Sequence, residues 1–198
     1  NGLDMLVEAT APLRASGRMT IDVGGAVPMR PGVRAQAESL SVGGSVRFHG
    51  WLEHAAVHRV LGQAHVLGFP SVREFGGAVV LEAMALGVVP VVVDYAGPGE
   101  LVNDDVGFKV PIGSRATIVD ALRRRFETLC IDRQPLRSKA AAGRERVTRL
   151  FTWDAKALQV HAVYQWALDP SSPKPDFALR DAIVPGASSG VAPGLVSA

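Results

Sequence analysis

The stretch "VVPVVVDY" at 88–95 is almost unbroken in its apolarity. A half-buried strand alternates apolar and polar residues, and an amphipathic helix repeats every 3.6, whereas a short run with no polar face suits a strand covered on both sides. Such a strand needs helices above and below its sheet. The chain supplies them in alternation. "RMTIDVGG" at 18–25, "SVRFHG" at 45–50, "AHVLGFP" at 64–70 and "VGFKVPIG" at 106–113 are short β-rich runs closed by turn residues. Helix-like stretches lie between them at roughly 30–40 and 53–62. Leu3, Leu6, Val7 and Leu13 mark an amphipathic helix at the start, and Val79, Val80, Ala83 and Met84 recur at helical spacing before the apolar run. Helices are predicted over about 114–130, 132–150 and 153–167, separated by Pro135 and by the "FTW" at 151–153. The expectation is an α/β, doubly wound, mainly parallel sheet of five strands over residues 1–168. Residues 169–198, rich in Pro, Ser, Gly and Ala, read as a tail or linker.

Composition removes several classes of function. With 198 residues, 47% of them hydrophobic, the chain can bury one sizeable core. The formal net charge is +2, with cations dispersed among carboxylates, so nothing marks a nucleic-acid-binding arm and no nucleic-acid partner is expected. The single cysteine, Cys130, excludes an internal disulfide and a Cys-based metal site; it reads as a small hydrophobe on a helix and fits a reducing, cytoplasmic setting. The run Val88–Val93 is interrupted by Pro90 and is too short to span a bilayer. The opening "NGLDMLVEATAPLRAS" lacks the basic start, apolar stretch and cleavage site of a signal peptide. A chain that opens inside a helix predicts further sequence in front of it.

An open parallel sheet binds ligands outside the carboxyl ends of its strands, which directs attention to the loops after Phe48, Phe69 and Val93. "REFGGAVVLEAMALG", from Arg73 to Gly87, lies in the second of these. Gly76 and Gly77 precede a helix beginning near Ala78. Glycine lets a ligand approach the backbone, and the first amides of a helix point outward at the positive end of its dipole, which is a phosphate site. Glu74 lies before that helix and Glu82 one turn inside it. Carboxylates repel phosphate but accept hydrogen bonds from vicinal hydroxyls. Anion-binding amides between two diol acceptors describe a site for a nucleotide-sugar. The plainer alternative makes Glu74 a solvated loop charge and Glu82 an ordinary helix-surface residue.

The segment "FPSVREFGGAVVLEAMALGVVPVVVDYAGPGELV" resembles the signature of the retaining family 4 glycosyltransferases of GT-B architecture, whose hallmark is two glutamates separated by seven residues. Glu74 and Glu82 have that spacing, "EAMALG" at 82–87 and "GPGELV" at 97–102 match, and "SVRFHGWL" is similar to the family's upstream strand and loop. The resemblance covers about residues 2–167 and implies the C-terminal, Rossmann-like donor-binding half of a GT-B fold lacking its first strand. It implies that Glu82 holds the ribose, that Glu74, Phe75, Gly76 and Gly77 face the transferred sugar, and that the amides of Gly77, Ala78 and Val79 bind the diphosphate. Trp51, Leu52 and His54 would lie beside the nucleobase. One departure concerns Phe75, which sits one place early if Gly77 is the family's equivalent glycine. The implied substrate is a UDP-, GDP- or ADP-sugar, with no cofactor and no metal. The acceptor would be a sugar, a lipid-linked or another hydroxyl compound, and the reaction would retain anomeric configuration.

Relatives carry a Gly-Arg…Lys segment before the helix at Leu3, whose cations meet the diphosphate. Its absence from residues 1–198 predicts that this chain alone does not turn over and works with an N-terminal Rossmann-like domain. "NDDVG" at 103–107 reads as a turn rather than a metal motif. His54 and His58 are one helical turn apart and could share a zinc ion, but the sequence suggests no third ligand, which favours a surface or base-edge role. Glu100 reads as a structural acceptor near a helix start. Arg123, Arg124 and Arg125 read as a solvated helix face; contact with anionic lipid at the inner face of the membrane, or with a phosphorylated acceptor, is the sharper alternative. Two other function classes compete. One is a non-catalytic nucleotide or nucleotide-sugar binding module. The other, a nicotinamide-dependent oxidoreductase, lacks its Gly-x-Gly-x-x-Gly, which "DVGGAVPMR" at 22–30 does not supply.

Overall fold

The computed structural model describes residues 2–25, 44–169 and 171–176. The helix expected at 30–40 and most of the expected tail lie outside the described residues. In order, the elements are α1 (Leu3–Ala15), β1 (Ile21–Gly24), β2 (Val46–Gly50), α2 (His54–Gly62), β3 (Val66–Phe69) and α3 (Ala78–Ala85). There follow β4 (Val89–Val93), α4 (Ala96–Leu101), β5 (Phe108–Val110), α5 (Arg115–Ile131), α6 (Gln134–Leu150) and α7 (Trp153–Leu168). All five expected strands are present. The helix α4 was not legible, because Gly97, Pro98 and Gly99 read as a turn.

β4 is buried at all five residues and has a neighbour on each edge. It pairs parallel with β3 from Val66 opposite Val89 to Phe69 opposite Val92, and parallel with β5 from Val91 opposite Phe108 to Val93 opposite Val110. Its valines alternate between two cores. Val91 and Val93 pack with Leu6, Ala9 and Leu13 of α1 and with Ile118, Leu122 and Phe126 of α5. Val92 faces the other way, against Val80 and Met84 of α3 and Leu101 of α4. Two apolar layers on one strand explain the unbroken valine run and make the fold Rossmann-like and doubly wound.

The strands do not form one continuous sheet. β1 pairs parallel with β2, Ile21 opposite Val46 to Val23 opposite Phe48, in a separate two-stranded sheet. Between β1 and β3 lies a cavity of about 680 Å³ whose lining includes Leu6, Ile21, Val23, Val66 and Gly68. Among the described residues no strand joins β1 to β3, and the two pairings form separate sheets, which corrects the expectation of a single five-stranded sheet.

Two polar clusters fasten the β1–β2 pair. Arg14, 1% exposed on α1, donates from Nη2 to the Val7 carbonyl at 2.9 Å, from Nε to Thr10 Oγ1 at 3.3 Å and from Nη1 to Ser45 Oγ at 3.4 Å, just before β2. Burial pulls its pKa down from the ordinary value. Across the strands, Arg47 grips Asp22 with both nitrogens, Nε to Oδ1 at 2.9 Å and Nη2 to Oδ2 at 2.8 Å, and His49 Nε2 lies 2.7 Å from Oδ1. Arg115 of α5 ties to Glu8 at 2.7 Å and Asp4 at 3.3 Å of α1.

The arginine run on α5 is not one solvated face, because successive helical residues point about 100° apart. Arg124 is exposed and pairs with Asp120 at 2.6 Å, while Arg125 lies over the Phe108 ring at 4.5 Å. "NDDVG" is a turn, with the Asp105 amide donating to Asn103 Oδ1 at 3.2 Å. Cys130 packs against the core from α5. The chain divides into two compact units, residues 1–156 and 157–198, with the boundary inside α7. α7 has no buried residue. Among the described residues, no helix is long and apolar enough to cross a membrane.

Candidate functional site

β3 and β4 end side by side, so the loops after Phe69 and Val93 emerge at one edge of the sheet. The chain leaves β3 through Pro70 and Ser71, both buried, and Ser71 Oγ accepts from the Arg73 amide at 3.5 Å. It then reaches the glutamate and glycine segment. Gly77 is the N-cap of α3 at φ 71°, ψ 36°, in the left-handed region that a side chain makes costly. Gly97, near the start of α4, lies under the same loop: a methyl group there would overlap the Phe75 carbonyl oxygen. Ala96 beside it has φ 48°, a strained value for a residue with a side chain. The glycines therefore let two helix starts, α3 and α4, press together at the sheet edge.

A glycine N-cap has no side chain to satisfy the first amides, and α3 carries no side-chain cap at that position. Ala78 and Val79 form its first turn, with the Val80 amide donating to the Gly77 carbonyl at 2.8 Å. The Gly77 amide instead points at Glu74 Oε1, 3.5 Å away. A negative charge thus already stands at the positive end of the α3 dipole. Phe75 next to it is 97% exposed, and Gly76 has open space around it.

Glu82, one turn into α3, faces α2. His54 opens α2 with Nε2 at 3.7 Å from Glu82 Oε1, and His58, a turn later, has Nε2 at 3.7 Å from Oε2. The two imidazole rings meet edge to face, with centroids 4.1 Å apart. Two expected site residues, His54 and Glu82, are thereby brought together. Trp51 is 66% exposed after β2, while Leu52 lines the cavity between β1 and β3 with Val57 and Leu61 of α2. The sequence presents His58 beside His54, as a zinc pair without a third ligand or as a surface or base-edge residue. Its i, i+4 spacing was the visible signal; the carboxylate between the two rings comes from a different helix and could not be read locally. Glu100 is exposed and next to last in α4, so it does not lie near a helix start as expected. At the end of β4, Asp94 accepts from Lys109 of β5 at 2.9 Å.

The family model described as "Glycosyl transferases group 1" matches residues 1–141. Among solved structures, the chain is similar to sucrose-phosphate synthase from Thermosynechococcus elongatus, at 26% identity and a TM-score of 0.65, over 86% of this chain and 43% of that one. It is also similar to HepE of Anabaena in complex with UDP, at 21% identity and a TM-score of 0.69, over 81% of this chain and 44% of that one. The C-terminal domain of a group 1 glycosyl transferase, LpcC, from Francisella tularensis matches at 18% identity and a TM-score of 0.65, over 77% of this chain and 80% of that domain. The chain thus spans less than half of the first two proteins and most of the isolated C-terminal domain. Among curated proteins none matches at a significant level.

Proposed function

The chain belongs to the group 1 glycosyl transferases, and from that we propose that it is the donor-binding half of a retaining enzyme that moves a sugar from a nucleotide-sugar to a hydroxyl acceptor. The observation that carries this reading is the glycine-opened N-terminus of α3, without a side-chain cap, at the carboxyl edge of β3 and β4 with Glu82 one turn inside it. Amides of Gly77, Ala78 and Val79 receive the diphosphate: those of Ala78 and Val79 open a helix at its positive end, and that of Gly77 joins them once Glu74 releases it. Glu82 accepts from the two ribose hydroxyls, a geometry matched by the two oxygens of one carboxylate. Glu74, with Phe75, Gly76 and Gly77, lies toward the transferred sugar. To let phosphate reach the helix, Glu74 must give up the Gly77 amide and turn outward, where it meets sugar hydroxyls rather than phosphate. His54 and the exposed Trp51 flank the base; Leu52 supports them from the cavity side.

HepE was solved with UDP, which favours a nucleoside diphosphate as the first probe. Transfer itself needs an acceptor site and groups that neutralise the departing diphosphate, and we assign these to further chain beyond residues 1–198. The reaction does not call on an Asp-x-Asp-bound metal, and the single cysteine suits a cytoplasmic setting.

Calorimetric titration of the chain with UDP, GDP and ADP tests the reading. One of them binds, and Glu82→Ala weakens it by about 10- to 100-fold, the scale of hydrogen bonds to a charged group. Binding that is indifferent to Glu82→Ala, or no binding by a chain shown to be folded, overturns the site.

A further inference from the structure

α2 and α3 present three donors to one point. His54 and His58 are four residues apart on α2, so their rings project from one side of it. Glu82 rises from α3 between them, each carboxylate oxygen 3.7 Å from one imidazole Nε2. All three donors lie within 4.8 Å of one another, and among the described residues this is the one such group of three. At 3.7 Å neither imidazole makes a hydrogen bond to the carboxylate. His58 Nε2 is nonetheless screened from solvent and has no hydrogen-bond partner. A polar nitrogen in that state is costly, and a cation between the rings and the carboxylate would satisfy it.

We propose that His54, His58 and Glu82 bind a divalent transition-metal ion of the zinc type, and that this ion and a nucleotide exclude each other at Glu82. A tetrahedral ion with bonds of about 2.0–2.2 Å sets neighbouring donors about 3.3 Å apart, so the observed separations close with small side-chain rotations. Two imidazoles and one carboxylate suit zinc, copper or nickel rather than magnesium or calcium, which prefer oxygen alone. His54 is largely exposed, which leaves the fourth position to water. The ion turns both Glu82 oxygens away from ligand hydroxyls. The exclusion, though not the metal site, rests on the assignment of Glu82 to the ribose. By linkage the exclusion is reciprocal: zinc weakens nucleotide binding by the same factor that nucleotide weakens zinc binding.

The whole 198-residue chain is titrated with Zn²⁺ by calorimetry and with Co²⁺ by visible absorption, beside His54→Ala, His58→Ala, His58→Gln and, as a control remote from the group, His65→Ala. Circular dichroism verifies that each variant is folded. The expected result is one ion per chain and a four-coordinate Co²⁺ spectrum. Loss of a direct ligand should weaken binding at least as much as the roughly 10- to 100-fold lost with an outer-shell partner. His65→Ala leaves binding unchanged. Zinc affinity that is equal in His58→Ala, His58→Gln and the unmodified chain overturns the metal site, as does a hydrated octahedral Co²⁺ spectrum. The nucleotide titration is then repeated with Zn²⁺. Weakening in the unmodified chain and not in His58→Ala supports exclusion; simultaneous, independent binding of zinc and nucleotide overturns it. If zinc binds as described while no nucleotide binds without it, the metal site stands and the donor-site reading fails.

Discussion

β4 and β1 are both short, β-branched, parallel strands of one chain, yet one is sealed and the other is not. Val91, Val92 and Val93 are fully buried, whereas in β1 only Ile21 is buried, at 9% exposure. β4 has strands on both edges and helices on both faces. β1 has β2 on one edge and a cavity on the other. Composition and neighbours agree here: β4 is apolar throughout and covered on every side, whereas β1 carries Asp22 and Gly24 and keeps one open edge. The proposed donor site stands on the sealed half, where α3 leans on Val92 through Val80 and Met84. A rigid base of that kind holds amides and a carboxylate at fixed separations.

Truncation of a side chain on each side would test this contrast most severely. Met84, 1% exposed between α3 and β4, is closely packed. Met84→Ala should cost about 2–5 kcal/mol in urea unfolding, the range for deleting a large core side chain. Val23 lines the cavity and is half-buried, so it has fewer partners to lose. Val23→Ala should cost under about 1 kcal/mol, near the value of a single buried methylene group. Equal losses would mean that the cavity is closed in solution and that β1 is packed as tightly as β4.

A smaller effect separates Gly76 from Gly97, the glycine beneath it. Gly97→Ala drives a methyl group into the Phe75 carbonyl, and the overlap should destabilise the fold by about 1–3 kcal/mol, as overpacking does. It should also weaken nucleotide binding, because relief requires the 74–77 loop to move. Gly76→Ala meets nothing within 4 Å, so its stability should change by less than about 0.5 kcal/mol. If Gly97→Ala leaves both stability and affinity intact, the loop is not clamped by α4 and the sealed half is looser than its burial implies.

The sealed half was the legible one. Val88–Val93 declared two covered faces, and Gly77 with Glu82 declared a helix start and its first inward carboxylate. These are local patterns with a local cause. The short α4 was hidden because its sequence is the sequence of a turn, and it is helical through packing: Pro98 sits against Gly77, where a side chain on that glycine would come within 3.0 Å of Cγ. The split of the sheet was also out of reach, since β1 and β2 read as strands whether or not β3 joins them. At the site, the i, i+4 pair His54 and His58 was visible while its partner was not. Glu82 meets them only because α2 and α3 come together in space, and no periodicity within either helix encodes that. The hydrogen bond from the Gly77 amide to Glu74 likewise depends on how the loop folds back.

The smallest expected effect belongs to the open half and is read from pH. Arg47 donates two hydrogen bonds to Asp22, and these, with His49, hold its carboxyl below the ordinary carboxylate value against the opposing effect of burial. A carboxyl whose folded pKa is depressed stabilises the fold above its unfolded pKa of about 3.9 and loses that contribution as pH falls through the folded value. The pair is partly exposed, with Arg47 61% and Asp22 27% accessible, so solvent screening limits the gain to under about 1 kcal/mol. Urea midpoints are to be compared between the unmodified chain and Asp22→Asn from about pH 6 down to about pH 2, where the other carboxylates titrate in both proteins and largely cancel in the difference. The unmodified chain should be the more stable near pH 6, and its advantage should shrink below about pH 4. A constant difference would mean that the charge on Asp22 does not hold β1 to β2. The ladder and Arg14 would then fasten the open half by themselves, and its exposure to the cavity would have no electrostatic remedy.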